Sequence, residues 1–332
     1  MAPSLITRQR GNFGHQCVVG AYEPNLEDSW NEKTYFGLAL SGNYIYGTFR
    51  DEDGNIFAVI RKSGEESSRG LFIQTTLGGG HLELHEDSWK AFRGGPIEYT
   101  LTDKEIVSES RKGLPGERFI YRQRVDGGEW DEGDLLNLSG PTIGPGLHWY
   151  DPTRDAGGMY ACTMVRASGT ILGRRVEGFY GYDQLYLPPG QTWNMGPYFN
   201  RIHVAWHAIM NEYDDGTFEV GQIGYGAEDW GFAMLVGQDG AIVMTTDVEA
   251  DITLDENSFA ERVLYKFDGI EWEWKADKQG QMKMLGAGSG AGVGGRFYRG
   301  CDGQSKRVGE KRGIKTWSGW METYNDARHL AG

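Results

Sequence analysis

Eleven consecutive residues, Glu177-Gly178-Phe179-Tyr180-Gly181-Tyr182-Asp183-Gln184-Leu185-Tyr186-Leu187, set the carboxyl of Asp183 among three tyrosines and a phenylalanine. Poorly hydrated aromatic surroundings raise a carboxyl's pKa, because desolvation disfavours the charged form. Such a group can deliver a proton near neutral pH, and aromatic faces beside it can stabilise a developing carbocation. The plainer reading is a turn aspartate capping backbone amides next to core aromatics. On the chemical reading, Asp183 is the acid or base. Tyr182 and His207 assist it, and Tyr180, Tyr186, Trp206, His203 and Trp149 are candidates to line the substrate.

The segment Arg201-Ile202-His203-Val204-Ala205-Trp206-His207-Ala208-Ile209-Met210 carries two of the seven histidines. At i, i+4 on a helix they would share a zinc-binding face. Ile202 and Val204 favour a strand instead, and no glutamate lies between the histidines. On a strand His203 and His207 share a face about 13 Å apart, too far for one metal. One histidine poised near neutral pH is the functional expectation; a hydrogen-bonded or surface pair is the structural one. His81, Glu83, His85 and Asp87 alternate with Leu82 and Leu84, as on a strand with one solvated face, and lack a convergent third metal ligand. Gly290-Ala291-Gly292-Val293-Gly294-Gly295 has the G-x-G-x-x-G form, but a strand-like Arg296–Arg299 follows it where a dinucleotide site needs a helix. No P-loop and no G-x-S-x-G elbow occurs. No metal and no organic cofactor is expected.

The elements that position these residues read as strands. Gly is 51 of 332, about twice the usual share, and aromatics reach 13%. Glycine punctuates turns and aromatics favour strands. Asp-Gly occurs six times, at Asp53, Asp126, Asp215, Asp239, Asp268 and Asp302, mostly between strand-like runs, as hairpins require. Short helical turns are expected only near Glu65–Ser68 and Asp255–Phe259. Gly140-Pro141, Gly144-Pro145-Gly146, Pro152 and Gly157-Gly158 cluster between Leu138 and Gly158. A boundary there divides the chain into 1–150 and 151–332, each long enough for an eight- to ten-stranded barrel or sandwich whose closure removes sheet edges.

Net charge is −14, which repels phosphate backbones and anionic lipid, so neither nucleic acid nor a membrane surface is an expected partner. Three cysteines without close pairs, Cys17, Cys162 and Cys301, fit a reducing compartment. Residues 1–11 carry no apolar leader and no run approaches a membrane span. A soluble cytoplasmic chain is expected; a homodimer is compatible with these features.

The stretch around Asp183 resembles the AttH-like and carotenoid 1,2-hydratase-like superfamily, whose second half carries a Gly-x-x-Asp-His-x-Trp-Gly type run. Gly181 and Asp183 match it, while Gln184, Tyr186 and Leu187 stand where the family has His, Trp and Gly. Ser29-Trp30, Gly95–Tyr99 and Gly319-Trp320-Met321-Glu322 add diffuse similarity. The resemblance implies two tandem lipocalin-like antiparallel β units in a mainly β chain. It also implies a cofactor-independent lyase or isomerase that hydrates, dehydrates or cyclises an apolar terpenoid, steroid, polyketide or phenylpropanoid-like molecule. A non-catalytic carrier of an apolar ligand is the alternative, since fold alone does not separate the two; a glycan-binding β-sandwich is a third.

Overall fold

The computed structural model describes residues 17–27, 34–63, 71–86, 97–112, 118–152, 157–191, 202–237, 239–282 and 296–326. All regular elements among them are strands. The first thirteen are β1 (Val18–Tyr22), β2 (Ala39–Asp51), β3 (Ile56–Ser63), β4 (Phe72–Thr75), β5 (Glu83–Leu84), β6 (Ile97–Leu101), β7 (Ile106–Ser110), β8 (Ile120–Gln123), β9 (Gly127–Asp131), β10 (Leu136–Pro141), β11 (Gly146–Asp151), β12 (Gly158–Ile171) and β13 (Arg174–Leu187). Ten more follow: β14 (His203–Tyr213), β15 (Phe218–Gly226), β16 (Gly231–Gly237), β17 (Ile242–Thr245), β18 (Glu249–Leu254), β19 (Ala260–Phe267), β20 (Ile270–Met282), β21 (Arg296–Arg307), β22 (Ile314–Ser318) and β23 (Met321–Asp326).

They form two curled antiparallel sheets, the form of tandem lipocalin-like units. The first runs β5-β4-β3-β2-β13-β12-β10-β9-β8-β7-β6, with β11 joining β1 to β12. The second runs β17-β16-β15-β14-β23-β21-β20-β19-β18, with β22 beside β14. The change of sheet falls between Leu187 and His203. The expected 150/151 division lies inside the first sheet, within β11 one residue before its end, and β11 pairs with β12. The Gly- and Pro-rich stretch from 140 to 158 supplies hairpin chemistry there.

The Asp-Gly pairs illustrate how turns are made. Asp268 and Gly269 both have positive φ, 46° and 72°, as a two-residue type I′ hairpin between β19 and β20 demands. At Asp215 and Asp239 the side chain instead accepts the amide N–H two residues on. Asp302-Gly303 breaks the expectation: it lies within β21, and Asp302 is fully buried. Asp255–Phe259 is no helix but a turn, in which the Asp255 carboxylate accepts the N–H groups of Asn257 and Phe259, both at 2.8 Å. Glu65–Ser68, Asp87 and the 290–295 glycine run lie outside the described residues.

Each sheet has its own apolar interior. Ile45, Phe49, Tyr121, Trp130, Tyr180 and Tyr182 belong to that of the first, and Ile209, Ile223, Tyr265, Trp272 and Trp274 to that of the second. A third core lies between the sheets and draws on both: Tyr46, Trp149, Tyr160, Cys162 and Phe179 from one, Trp206, Met210, Trp230, Phe232 and Trp320 from the other. A strand buried on both faces cannot alternate apolar with polar. All eleven residues of β14 are accordingly buried, as are the last ten of β13.

Polar contacts frame this junction. Arg50 Nη2 donates to Asp302 Oδ2 at 2.6 Å, and Thr48 Oγ1 and the Gly319 amide donate to Asp302 Oδ1 at 3.0 and 3.1 Å. Burial pushes the Asp302 carboxyl up while Arg50 pulls it back down. Arg166 Nε reaches Glu212 Oε2 across the sheets at 2.8 Å.

Candidate active site at the junction of the two sheets

Asp183 reaches the junction because side chains alternate along β13. Phe179, Leu185 and Leu187 face the shared core, whereas Tyr180 and Tyr182 face the first sheet's interior. Asp183 pairs with Cys162 on β12 and Tyr44 on β2. It is fully buried, and neither carboxyl oxygen has a completed hydrogen bond. Tyr46, two residues along β2 from Tyr44, brings its hydroxyl toward the Asp183 carboxyl. Gly181 makes room: it sits opposite Tyr46, and a Cβ there would lie 3.2 Å from the tyrosine ring. Burial holds the Asp183 carboxyl well above the usual range; the Tyr46 hydroxyl opposes this and nearby Glu322 adds to it. Burial thus favours the protonated form of Asp183.

The second sheet contributes the facing groups. Trp320 packs edge-on against the Tyr46 ring, centroids 5.2 Å apart. Its indole Nε1 donates to Glu322 Oε1 at 2.8 Å, and the Tyr298 hydroxyl donates to the same carboxyl. Glu322 keeps part of its surface accessible while the carboxyl itself lies among protein atoms. Burial raises its pKa, and the two donors pull the other way. Aromatic rings continue the wall. His203 packs 4.8 Å from Tyr324, 6.0 Å from Trp206 and 6.1 Å from Trp230. Trp206 meets Tyr160 at 4.6 Å and Trp149 at 6.4 Å. On β15, Gln222 is fully buried with neither end of its amide hydrogen-bonded. Its register partners are Ala208 and Met234, both in the shared core.

Of the residues singled out in the sequence, Asp183, His203, Trp206 and Trp149 meet at the junction. The others are elsewhere. Tyr182 stacks on Tyr121 at 4.6 Å, and Tyr180 meets Trp130 at 6.0 Å, both inside the first sheet. Tyr186 follows a register shift after Leu185 and packs with Leu38, Met159 and Tyr35. His207 lies inside the second sheet, stacked on Tyr265 at 5.9 Å, and burial pushes its imidazole down to about 3. His203 and His207 do not share a face as a regular strand predicts. The register of β14 against β15 shifts between His203 and Ala205, and one extra residue reverses the side-chain alternation.

Tyr46, Glu322, Tyr298, Trp320 and Gln222 did not stand out in the sequence as site residues. Only Trp320 and Glu322 carried a signal, as part of the Gly319–Glu322 run. No group of three or more His, Cys, Asp or Glu side chains that could hold a metal occurs among the described residues. No helix among them is long and apolar enough to cross a membrane. The three cysteines are free thiols.

No protein-family model matches the chain, and no curated protein matches it in sequence. Solved structures do. The chain is similar to an AttH candidate from Nitrosomonas europaea at 15% identity and a TM-score of 0.48, over 87% of this chain and 93% of that one. It is also similar to kievitone hydratase from Nectria haematococca at 9% identity and a TM-score of 0.40, over 98% of both chains.

Proposed function

We propose that the protein is a cofactor-independent lyase or isomerase that adds, removes or shifts a proton on a small apolar, unsaturated molecule held between the two sheets. Asp183 is the acid. The observation that carries this reading is a fully buried carboxyl with no completed hydrogen bond, facing a junction walled by aromatic rings. A neutral buried acid protonates a carbon–carbon double bond, and the tryptophan and tyrosine faces stabilise the resulting cation. The sequence resemblance to hydratase-like proteins at Gly181 and Asp183 points the same way.

Native mass spectrometry of the purified protein identifies any retained apolar molecule. A panel of terpenoid and phenylpropanoid alkenes incubated in D2O then reports proton transfer as carbon-bound deuterium. Wild type is expected to incorporate deuterium, and Asp183→Asn to lose at least ~100-fold in rate with ligand retention kept, the usual contribution of a general acid. Tight retention with no deuterium in any retained ligand would instead make the protein a carrier.

A further inference from the structure

We infer that Glu322 is the second catalytic group, the base that faces Asp183 across the junction, so that the reaction site is built from one carboxyl of each sheet. This rests on the reading of Asp183 as the acid and extends it to the group that handles the other proton.

The geometry is a short relay of contacts. The Asp183 carboxyl meets the Tyr46 hydroxyl, the Tyr46 ring meets Trp320, and the Trp320 indole N–H bonds Glu322. Neither carboxyl has an Arg or Lys partner among the described residues, unlike Asp302, Glu132 and Glu212. The Glu322 carboxyl adds to the rise in proton affinity that burial imposes on Asp183. Their surroundings decide which one holds the charge. Glu322 accepts two donors, from Trp320 and Tyr298. Asp183 is sealed and has only the approach of Tyr46. Hydrogen-bond donors stabilise a carboxylate, so the negative charge belongs on Glu322 and the proton on Asp183. The titratable groups around the pair are Tyr22, Tyr44, Tyr46 and Cys162 on the first sheet, and Tyr298, Tyr324 and His203 on the second. Burial raises Tyr22, Tyr46, Cys162 and Tyr298 far above neutrality, so they stay protonated beside the pair.

In the hydration direction the Asp183 O–H bond breaks, and its proton forms a C–H bond with one alkene carbon using the π pair. A water oxygen forms the C–O bond at the other carbon. That water's surplus proton passes to the Glu322 carboxylate. Alkene plus water gives alcohol, and the enzyme resets when the proton returns from Glu322 to Asp183. Dehydration is the same path reversed.

Two measurements test this, one of which needs no substrate. Infrared difference titration of the whole protein follows the C=O band of protonated Asp183, identified by its loss in Asp183→Asn. Glu322→Gln should lower the pH at which this band disappears by about one unit or more, the threshold of strong coupling. An unchanged midpoint means the carboxyls do not interact, and the inference falls whatever the function. The second measurement is the pH dependence of deuterium incorporation on the alkene panel. Glu322→Gln should cut the rate at least ~100-fold and abolish the acid limb. Tyr298→Phe, which removes a donor without touching the carboxyl, should move that limb to higher pH. Full activity in Glu322→Gln beside an inactive Asp183→Asn overturns the role of Glu322 and leaves the proposed function standing. If both variants match wild type, the proposed function itself is wrong.

Discussion

The interior of the first sheet and the junction between the sheets both bury charge-bearing side chains, and they treat them in opposite ways. Inside the first sheet Arg61 and Glu132, both fully buried, are joined at 3.0 Å. Trp130 Nε1 donates to the second Glu132 oxygen at 2.9 Å, and the Arg61 guanidinium lies 4.1 Å over the Phe119 ring. At the centre of the junction, Asp183 and Gln222 are equally buried and have no completed hydrogen bonds. Only the junction's frame, Arg50 with Asp302 and Arg166 with Glu212, is paired in the manner of the interior. Glu132 receives a guanidinium and an indole N–H there, whereas Asp183 receives neither a cation nor a completed hydrogen bond. Native structures leave few buried polar groups unmet, and those they do leave cluster where chemistry needs them.

This contrast predicts different costs for removing each acid. Glu132→Ala strips Arg61 of its charge partner and Trp130 of its acceptor, so it should cost about 3–5 kcal/mol, as breaking one side of a buried ion pair does. Asp183→Asn should change stability by less than about 1 kcal/mol, because it exchanges one buried group without partners for another and breaks no ion pair. Urea unfolding of the two variants decides the matter. Equal losses in both would erase the distinction between interior and junction. The pH dependence sharpens it. Asp183 has a raised folded pKa, so the native state binds its proton more tightly than the unfolded chain does. Wild-type stability therefore falls, relative to Asp183→Asn, as pH rises above about 4, the unfolded carboxylate range.

The second sheet's interior offers a different test, through His207. Its folded pKa is depressed to about 3 by burial, so it is neutral in the native state and must charge on unfolding in acid. Its contribution is intact above the unfolded value of about 6.5 and is lost as pH falls toward 3. At pH 5 the penalty is about 2 kcal/mol. His207→Leu should remove that part of the acid sensitivity and unfold at lower pH than wild type. An unchanged acid transition would mean that the His207 imidazole is solvated when folded.

How far the sequence reveals all this depends on how local each signal is. Hairpins were legible because Asp-Gly and its flanking strand runs lie side by side, as at Asp268-Gly269 between β19 and β20. The burial of Asp183 was legible because its aromatic company is contiguous in sequence. Which aromatics it would actually meet was not. Contiguity on a strand puts Tyr182 on the opposite face, and the tyrosine near Asp183 is Tyr46, 137 residues earlier. The His203–His207 spacing misled for a related reason: the register shift at the head of β14 leaves no mark in the residue types. The change of sheet after Leu187 was hidden because the cluster from Gly140 to Gly158 looks the same whether it links two sheets or turns within one. Glu322 came to notice only through a diffuse resemblance, since its partners, Tyr298 and Trp320, acquire meaning when β21 and β23 pair.

The smallest predicted effect bears most directly on whether the junction differs in kind from the interiors. Gln222 lies in the row of Ala208, whose amide donates to the Trp320 carbonyl at 2.9 Å, so it shares the Tyr46–Trp320 neighbourhood. An amide buried without hydrogen bonds costs about 1–3 kcal/mol relative to a bonded one. Gln222→Met keeps the length and flexibility of the side chain and removes both polar ends. If the amide serves only the occupant of the junction, the empty protein should gain about 1 kcal/mol, read as a higher urea midpoint at unchanged m-value. Retention of an oxygenated ligand, measured by native mass spectrometry, should weaken while that of a pure hydrocarbon should not. If Gln222→Met is instead destabilised by more than about 1 kcal/mol, the amide is a structural tie. The junction would then satisfy its polar groups as the first sheet's interior does, and Asp183 would stand alone as the exception.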